Sequence, residues 1–296
     1  MAPAAGEVRV GISGWTYAPW RGVFFPEGLP RRRELPYAAD RLRTIEINGT
    51  FYSLQRPHSF ERWAAETPND FVFSVKAPRY ITHILRLRDV DAPLANFLAS
   101  GLLRLGGKLG PILWQFPPNF SFDQARMEAF IRLLPGDTIA ASAFARRHDS
   151  RMEGRAYLES DARRPLRHAI EIRHQSFVCP EFIEMLRRYS VALVCADAVA
   201  WPRLMDVTSD FVYCRLHGSQ ELYTSGYDDT ALDAWAARVF AWAKGGEPAD
   251  AERVLPASDD RSSRDVFIYF DNDAKVRAPF DALGLRARVE ALLRQR

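Results

Sequence analysis

The chain has 296 residues, of which 47% are hydrophobic and 26% charged, the balance of a globular protein with a sizeable core. Its formal net charge of +3 is too small to argue for a nucleic-acid partner on charge alone. No apolar run approaches the roughly 20 residues needed to cross a bilayer, and the first residues lack the basic-then-apolar pattern of a secretory signal. No membrane partner is therefore expected, and the chain is expected in the cytoplasm. Cys179, Cys195 and Cys214 show no metal-ligand spacing. Cys195 and Cys214 lie in apolar stretches, where a thiol behaves as a small core residue, and an odd count fits a reducing compartment.

In chain order, short β-branched and apolar runs recur at Val8–Ile12, Thr44–Ile47, Phe71–Val75, Ile112–Phe116, Ala169–Ile172, Val191–Cys195, Phe211–Leu216 and Val266–Phe270. Each has the length and residue types of a buried strand. Helical periodicity predicts helices between most of them, at Ser59–Glu66, Pro93–Leu105, Gln124–Leu134, Pro180–Tyr189 and Thr230–Lys244, with Leu283–Arg294 closing the chain. Asp123, and Asp229 or Thr230, stand where caps belong. Alternating strand and helix implies parallel pairing through right-handed crossovers. Eight strands predict an α/β fold closed as a (β/α)8 TIM barrel, although an open doubly wound sheet uses the same alternation. Two stretches break the rhythm: a charged insertion near 137–167, and a loop near 245–265 rich in Gly, Pro, Asp and Ser. Strand-like runs resume after both, so a single domain over 1–296 is predicted.

Side chains two apart in a strand share a face. Glu46 and Asn48 alternate with Ile45 and Ile47, Lys76 with Phe73 and Val75, and Gln115 with Trp114 and Phe116. Glu171 and Arg173 alternate with Ile170 and Ile172, and Tyr213, Arg215 and His217 with Val212, Cys214 and Leu216. In a barrel one face packs on the helices and the other points inward. The apolar set suits the helices, which leaves the polar set to converge near the C-terminal strand ends, where barrel active sites lie. Asp197, placed just past strand six, and Asp271 with Asn272, ending strand eight, join them. A buried charge is expensive unless paired or functional. The plain alternative is that Glu171 with Arg173, or Glu46 with Lys76, are neutralising pairs that plug the barrel.

These residues carry a family resemblance. Gly11-Ile-Ser-Gly-Trp15-Thr-Tyr-Ala-Pro-Trp20, Glu46-Ile-Asn48-Gly-Thr50-Phe51-Tyr52, Phe73-Ser-Val-Lys76 leading to Arg79 and His83, Leu113-Trp-Gln115-Phe-Pro117-Pro118, Glu171-Ile-Arg173-His174, Arg215-Leu-His217-Gly218 and Tyr269-Phe-Asp271-Asn272-Asp273 resemble the YecE-like family, domain of unknown function family 72, over nearly the whole chain. The resemblance implies a (β/α)8 barrel and brings no established activity. In the last motif Asp271 stands where the family more often carries Asn, which adds a negative charge. Such barrels have been likened to the endonuclease IV and xylose isomerase group, an analogy of fold alone.

Three functional readings follow. The first is an enzyme using acid–base chemistry on a small phosphorylated or carboxylated polar substrate. Lys76, Arg79, Arg173 and Arg215 are the donors best suited to an anion. Glu46, Glu171 and Asp197 suit proton transfer, and His83, His174 and His217 titrate nearest neutrality. Asn48, Gln115 and Asn272 would orient hydroxyls or carbonyls. Trp15 and Trp20, after strand one, would stack on a ring or pack as core. His58 and His168 read as structural, and His148 as solvated. The second reading is a metal-dependent phosphodiester hydrolase: Glu46, Glu171, Asp197 and His217 are ligand types for Mg²⁺, Mn²⁺ or Zn²⁺, but no His-x-His or His-Glu-x-x-His pattern supplies a multi-zinc site. The third is a non-catalytic module that grips nucleic acid through Arg146–Arg167 and the aromatic first loop; interleaved acids make a solvated face an equal explanation. No P-loop, dinucleotide fingerprint or Gly-x-Ser-x-Gly elbow occurs, so no nucleotide cofactor is expected. The first reading is preferred. Replacing Glu171 or Arg215 discriminates: loss of activity with the fold spared marks function, whereas a large loss of stability marks a structural ion pair.

Overall fold

The computed structural model describes residues 5–218, 222–223 and 225–295; the first four residues of the N-terminal stretch read above lie outside them. β1 (Val8–Ser13) leads to α1 (Glu34–Ala39) and β2 (Thr44–Ile47), then α2 (Gly49–Tyr52), α3 (Pro57–Ala65) and β3 (Val72–Lys76). α4 (Asp91–Ala99) precedes β4 (Leu109–Gln115), and α5 (Gln124–Leu133) and α6 (Thr138–Ala145) precede β5 (His168–Glu171). α7 (Pro180–Tyr189) is followed by β6 (Ala192–Asp197) and β7 (Phe211–Leu216), then α8 (Asp229–Ala243), β8 (Asp265–Phe270) and α9 (Ala278–Arg294). The strands form a closed barrel in the order β1 to β8, with parallel ladders, which is the (β/α)8 fold. All eight predicted strands are present, with ends that differ by three residues at most. β6 passes to β7 through residues 198–210 without a helix.

Two compact units share the chain: residues 1–45 with 175–296, and residues 46–174. In the first, the Tyr213 and Tyr269 rings lie 5.1 Å apart, and the Tyr269 hydroxyl hydrogen-bonds Thr44 Oγ1 at 2.8 Å. Arg288 on α9 bridges to Asp229 and Asp233 on α8. Asp228, not Asp229 or Thr230, caps α8 by accepting from Ala231 N; the cap needs extended backbone, and Asp228 has it while Asp229 is already helical. The 245–265 stretch is a loop held at several points. Asp206 accepts from Val254 N and Leu255 N, and Glu247 accepts from Ser258 N.

In the second unit, parity decides the packing. Trp114 stacks edge-on against Phe97 of α4 and Phe130 of α5, on the opposite face to Gln115. Its Nε1 donates to His168 Nδ1 at 3.2 Å, while His168 Nε2 lies 2.9 Å from Pro135 O. Burial pushes the His168 imidazole down to about 4, so it is a neutral, fully bonded core residue. The predicted helix Pro93–Leu105 stops at Ala99, because Gly101 turns left-handed (φ 107°) and a Cβ there would lie 2.4 Å from Pro57 Cα. The charged insertion is folded: Asp137 caps α6 through Ala140 N, Ser142 donates to Leu158 O, and the Asp137 backbone forms a β-bridge with Pro165.

Candidate functional site

In unit 46–174, the site grows from the C-terminal ends of β2, β3, β4 and β5. Glu46, in β2, is fully buried, and just beyond it the Asn48 Oδ1 is buried without a hydrogen-bond partner among the described residues. Thr50 Oγ1 donates to Lys76 O at 2.6 Å and is 2.9 Å from Ile47 O, tying the end of β2 to the end of β3. Lys76 then places its ammonium 4.3 Å from the Phe51 ring centroid. That contact compensates part of the desolvation of a side chain only 8% exposed. Arg79 is exposed.

After Lys76 the backbone is unusual. Tyr80–Ile84 form one turn of π-helix, a geometry found often at functional sites. Arg86, Leu87 and Asp89 follow in left-handed conformation (φ 52°, 64° and 50°), which side chains with a Cβ adopt at a cost. The π-helical turn just before these residues carries His83. Its ring meets the Phe51 ring edge-on at 5.1 Å, its Nδ1 lies 2.8 Å from Thr82 Oγ1, and its Nε2 lies 3.5 Å from Gln115 Nε2. An amide nitrogen only donates, so with the Gln115 amide in this orientation the ring proton sits on Nδ1, facing the threonine hydroxyl. Burial, then Arg173, Lys76 and Arg79, push His83 down to about 4, against an opposing pull from Glu171. The imidazole is thus neutral at pH 7, with its Nε2 lone pair facing the Gln115 amide.

Glu171 ends β5, fully buried, and Arg173 lies beyond the strand instead of within it. The guanidinium folds back so that Nε reaches Glu171 Oε1 at 2.7 Å. The neutralising pair weighed from sequence therefore exists for Glu171 and Arg173. His174 is half-buried.

Unit 1–45 with 175–296 holds a second group of predicted residues. Arg215, with no exposed surface, reaches Asp271 at 2.9 Å and Ser13 Oγ at 3.5 Å. His217 Nδ1 lies 3.1 Å from the same Asp271 oxygen, and the Trp201 and Tyr223 rings meet the imidazole edge-on at 5.1 and 5.4 Å. The extra negative charge at Asp271 is thus met by the Arg215 guanidinium. Asp197, the last residue of β6, accepts from Arg203 (3.1 Å), Tyr227 OH (2.9 Å) and Trp235 Nε1 (3.2 Å), so its oxygens are already engaged. Asn272 donates to Ser225 O and Asp281, while its Oδ1 is buried without a hydrogen-bond partner among the described residues. Trp15 is half-buried in the loop after β1. Trp20 is core, packed among Tyr17, Phe24 and Phe25.

Sequence reasoning missed Asp273. Burial, reinforced by the neighbouring Asp271, pushes its carboxyl up to about 6, against a hydrogen bond from Tyr17 and the charge of Arg215. It was legible only as the last letter of the Tyr269–Asp273 motif, because the parity argument ends where β8 ends. Among the described residues no group of three or more His, Cys, Asp or Glu is placed to hold a metal ion, and no helix is long and apolar enough to cross a membrane.

Fold and strand-end chemistry define an α/β barrel protein with ionisable groups at the C-terminal ends of its strands. The chain belongs to the family described as protein of unknown function DUF72, whose model matches residues 9–295. It is 28% identical over 131 residues to UPF0759 protein YecE of Escherichia coli (strain K12), covering 44% of this chain and 45% of that protein. It is 27% identical over 118 residues to UPF0759 protein YunF of Bacillus subtilis (strain 168), covering 38% and 41%. The chain thus spans less than half the length of the curated relatives it matches. A DUF72 family protein of Thermotoga maritima superposes with a TM-score of 0.73 at 25% identity, covering 96% of this chain and 99% of that one. A DUF72 family protein of Enterococcus faecalis gives 0.68 at 16% identity, covering 96% and 95%, which shows the same fold.

Proposed function

We propose that the protein is an enzyme that performs acid–base chemistry on a small anionic polar substrate, phosphorylated or carboxylated. One arrangement carries this reading: Lys76 and the half-buried His83 pack on the same Phe51 ring, at 4.3 and 5.1 Å, with burial and the charges of Arg173, Lys76 and Arg79 holding the imidazole neutral. Positive potential of that kind attracts an anion. The coupling also has a direction. An anion seated beside the cations cancels part of their repulsion, raises the His83 pKa, and makes the imidazole a better proton acceptor when substrate is bound. Gln115 and Asn48 orient the polar groups of the substrate, and the Glu171–Arg173 pair positions the guanidinium. In the other unit, Asp271 with His217 is a carboxylate–imidazole pair of the kind that transfers protons, and Asp273 is an acid poised near neutrality.

Small molecules released on denaturing freshly purified protein, identified by mass spectrometry, test the proposal. An anionic polar compound is expected from the wild type and at least about tenfold less from Lys76→Met, in line with loss of a charge-assisted contact. The same compound should be turned over by the wild type and not by His83→Ala. Equal recovery from both proteins would remove Lys76 from the site and take the anion reading with it.

A further inference from the structure

Beside the cation cluster of unit 46–174 lies a cleft of about 340 Å³, at the small end of the range for small-molecule sites. Phe51, Tyr52, Pro78, Tyr80, Pro93 and Arg151 are among the residues that line it. Tyr52 is 72% and Tyr80 40% exposed. These two large rings come from different segments, the end of α2 and the π-helical turn, yet both face one cavity. Proline and tyrosine faces are the surfaces on which a flat ring stacks. Arg151 supplies a positive charge at the edge, its guanidinium 5.9 Å from the Tyr80 ring and only loosely paired with Asp149 at 4.0 Å.

The shared wall is what connects this cleft to the chemistry. Phe51 lines the cleft and is also the ring against which Lys76 and His83 pack, at 4.3 and 5.1 Å. Tyr80 belongs to the same turn as His83. A ligand anchored by its anion at Lys76 therefore meets the Phe51 ring, which is also a wall of the cavity. The cleft is too small for a helix, and among the described residues its one charged lining residue, Arg151, is cationic.

We propose that this cleft is the ring subsite of the anion site: it takes the planar, aromatic part of a compact ligand whose phosphate or carboxylate is held by Lys76 and Arg79. The inference rests on the anion reading above and narrows its substrate class to ring-bearing anions. The ring stacks between Tyr52 and Tyr80, and Arg151 caps its edge.

Calorimetric titration with inorganic phosphate, butyl phosphate and phenyl phosphate tests it. Phenyl phosphate should bind at least about tenfold more tightly than butyl phosphate, the gain expected of one stacked ring. The Tyr52→Ala/Tyr80→Ala double variant should lose that preference while keeping its affinity for inorganic phosphate, and Tyr52→Phe/Tyr80→Phe should retain it. Both tyrosines are largely surface groups, so the variants keep the fold. A preference under threefold, or one that survives the alanine substitutions, overturns the inference and leaves the anion site standing. If inorganic phosphate fails to bind while phenyl phosphate still binds in a Tyr52- and Tyr80-dependent way, the anion reading falls and the ring subsite remains. Failure of all three ligands overturns both.

Discussion

Replacing Arg215 by methionine should lower folding stability by about 3–5 kcal/mol, because it strands a carboxylate that lost its hydration on folding. Arg215 has no exposed surface and meets Asp271 at 2.9 Å, and Asp271 is itself only 13% exposed at the side chain. Methionine fills much of the volume, so cavity formation contributes little and the unpaired charge dominates. The double variant Arg215→Met/Asp271→Asn should recover much of the loss, since neutralising the partner removes the reason for it. Urea unfolding of the wild type, both single variants and the double variant measures this cycle. A loss below about 1 kcal/mol for Arg215→Met would mean that the pair is not structural, and that Arg215 is held for a ligand instead. His217 leans on the same Asp271 oxygen at 3.1 Å, so the Asp271→Asn variant should also disturb that imidazole.

Gly11→Ala should destabilise still more, by over about 4 kcal/mol, which is rare for a single methyl group. A Cβ at Gly11 would stand 1.9 Å from the Thr44 carbonyl oxygen and 2.7 Å from its carbon. Backbone, unlike a side chain, cannot swing aside. Gly11 is also held in register with Tyr269 on β8, so β1 cannot move away from Thr44 without disturbing that ladder. Gly136→Ala is the control: a Cβ there meets nothing within 4 Å, and its effect should stay within about 0.5 kcal/mol. Soluble, cooperatively unfolding Gly11→Ala protein of near wild-type stability would contradict the close approach of β1 to Thr44.

The barrel was legible because strands of this kind advertise themselves. The expected bounds of Thr44–Ile47, Phe211–Leu216 and Pro180–Tyr189 coincide with the structure to the residue. Parity within strands correctly assigned Trp114 to the helix-packing side. Parity has no meaning once a strand ends, and several errors trace to that limit. Parity places Arg173 in the strand, whereas β5 stops at Glu171; the chain turns, and the guanidinium returns to Glu171. Asp197, read as lying past β6, is its last residue. Asp273 passed unnoticed because its perturbed acidity depends on burial and on Asp271, neither of which has a signature in composition. The π-helical turn at Tyr80–Ile84 and the left-handed residues after it were likewise invisible. No glycine marks Arg86, Leu87 or Asp89, and nothing in their sequence predicts a conformation that only the surrounding fold enforces. Family resemblance brings the site motifs to attention, but that Lys76 and His83 share the Phe51 ring is visible only in the folded chain.

The account depends on positive potential at a neutral His83. A proton NMR titration of the His83 imidazole, with and without saturating inorganic phosphate, addresses it most directly. In the free protein the ring should titrate near about 4, well below the ordinary 6.5, and phosphate should move it upward, so that phosphate binding tightens as pH falls through that interval. A His83 that titrates near 6.5 and ignores phosphate would show that Lys76, Arg79 and Arg173 exert no field there, and the proposed chemistry would lose its foundation.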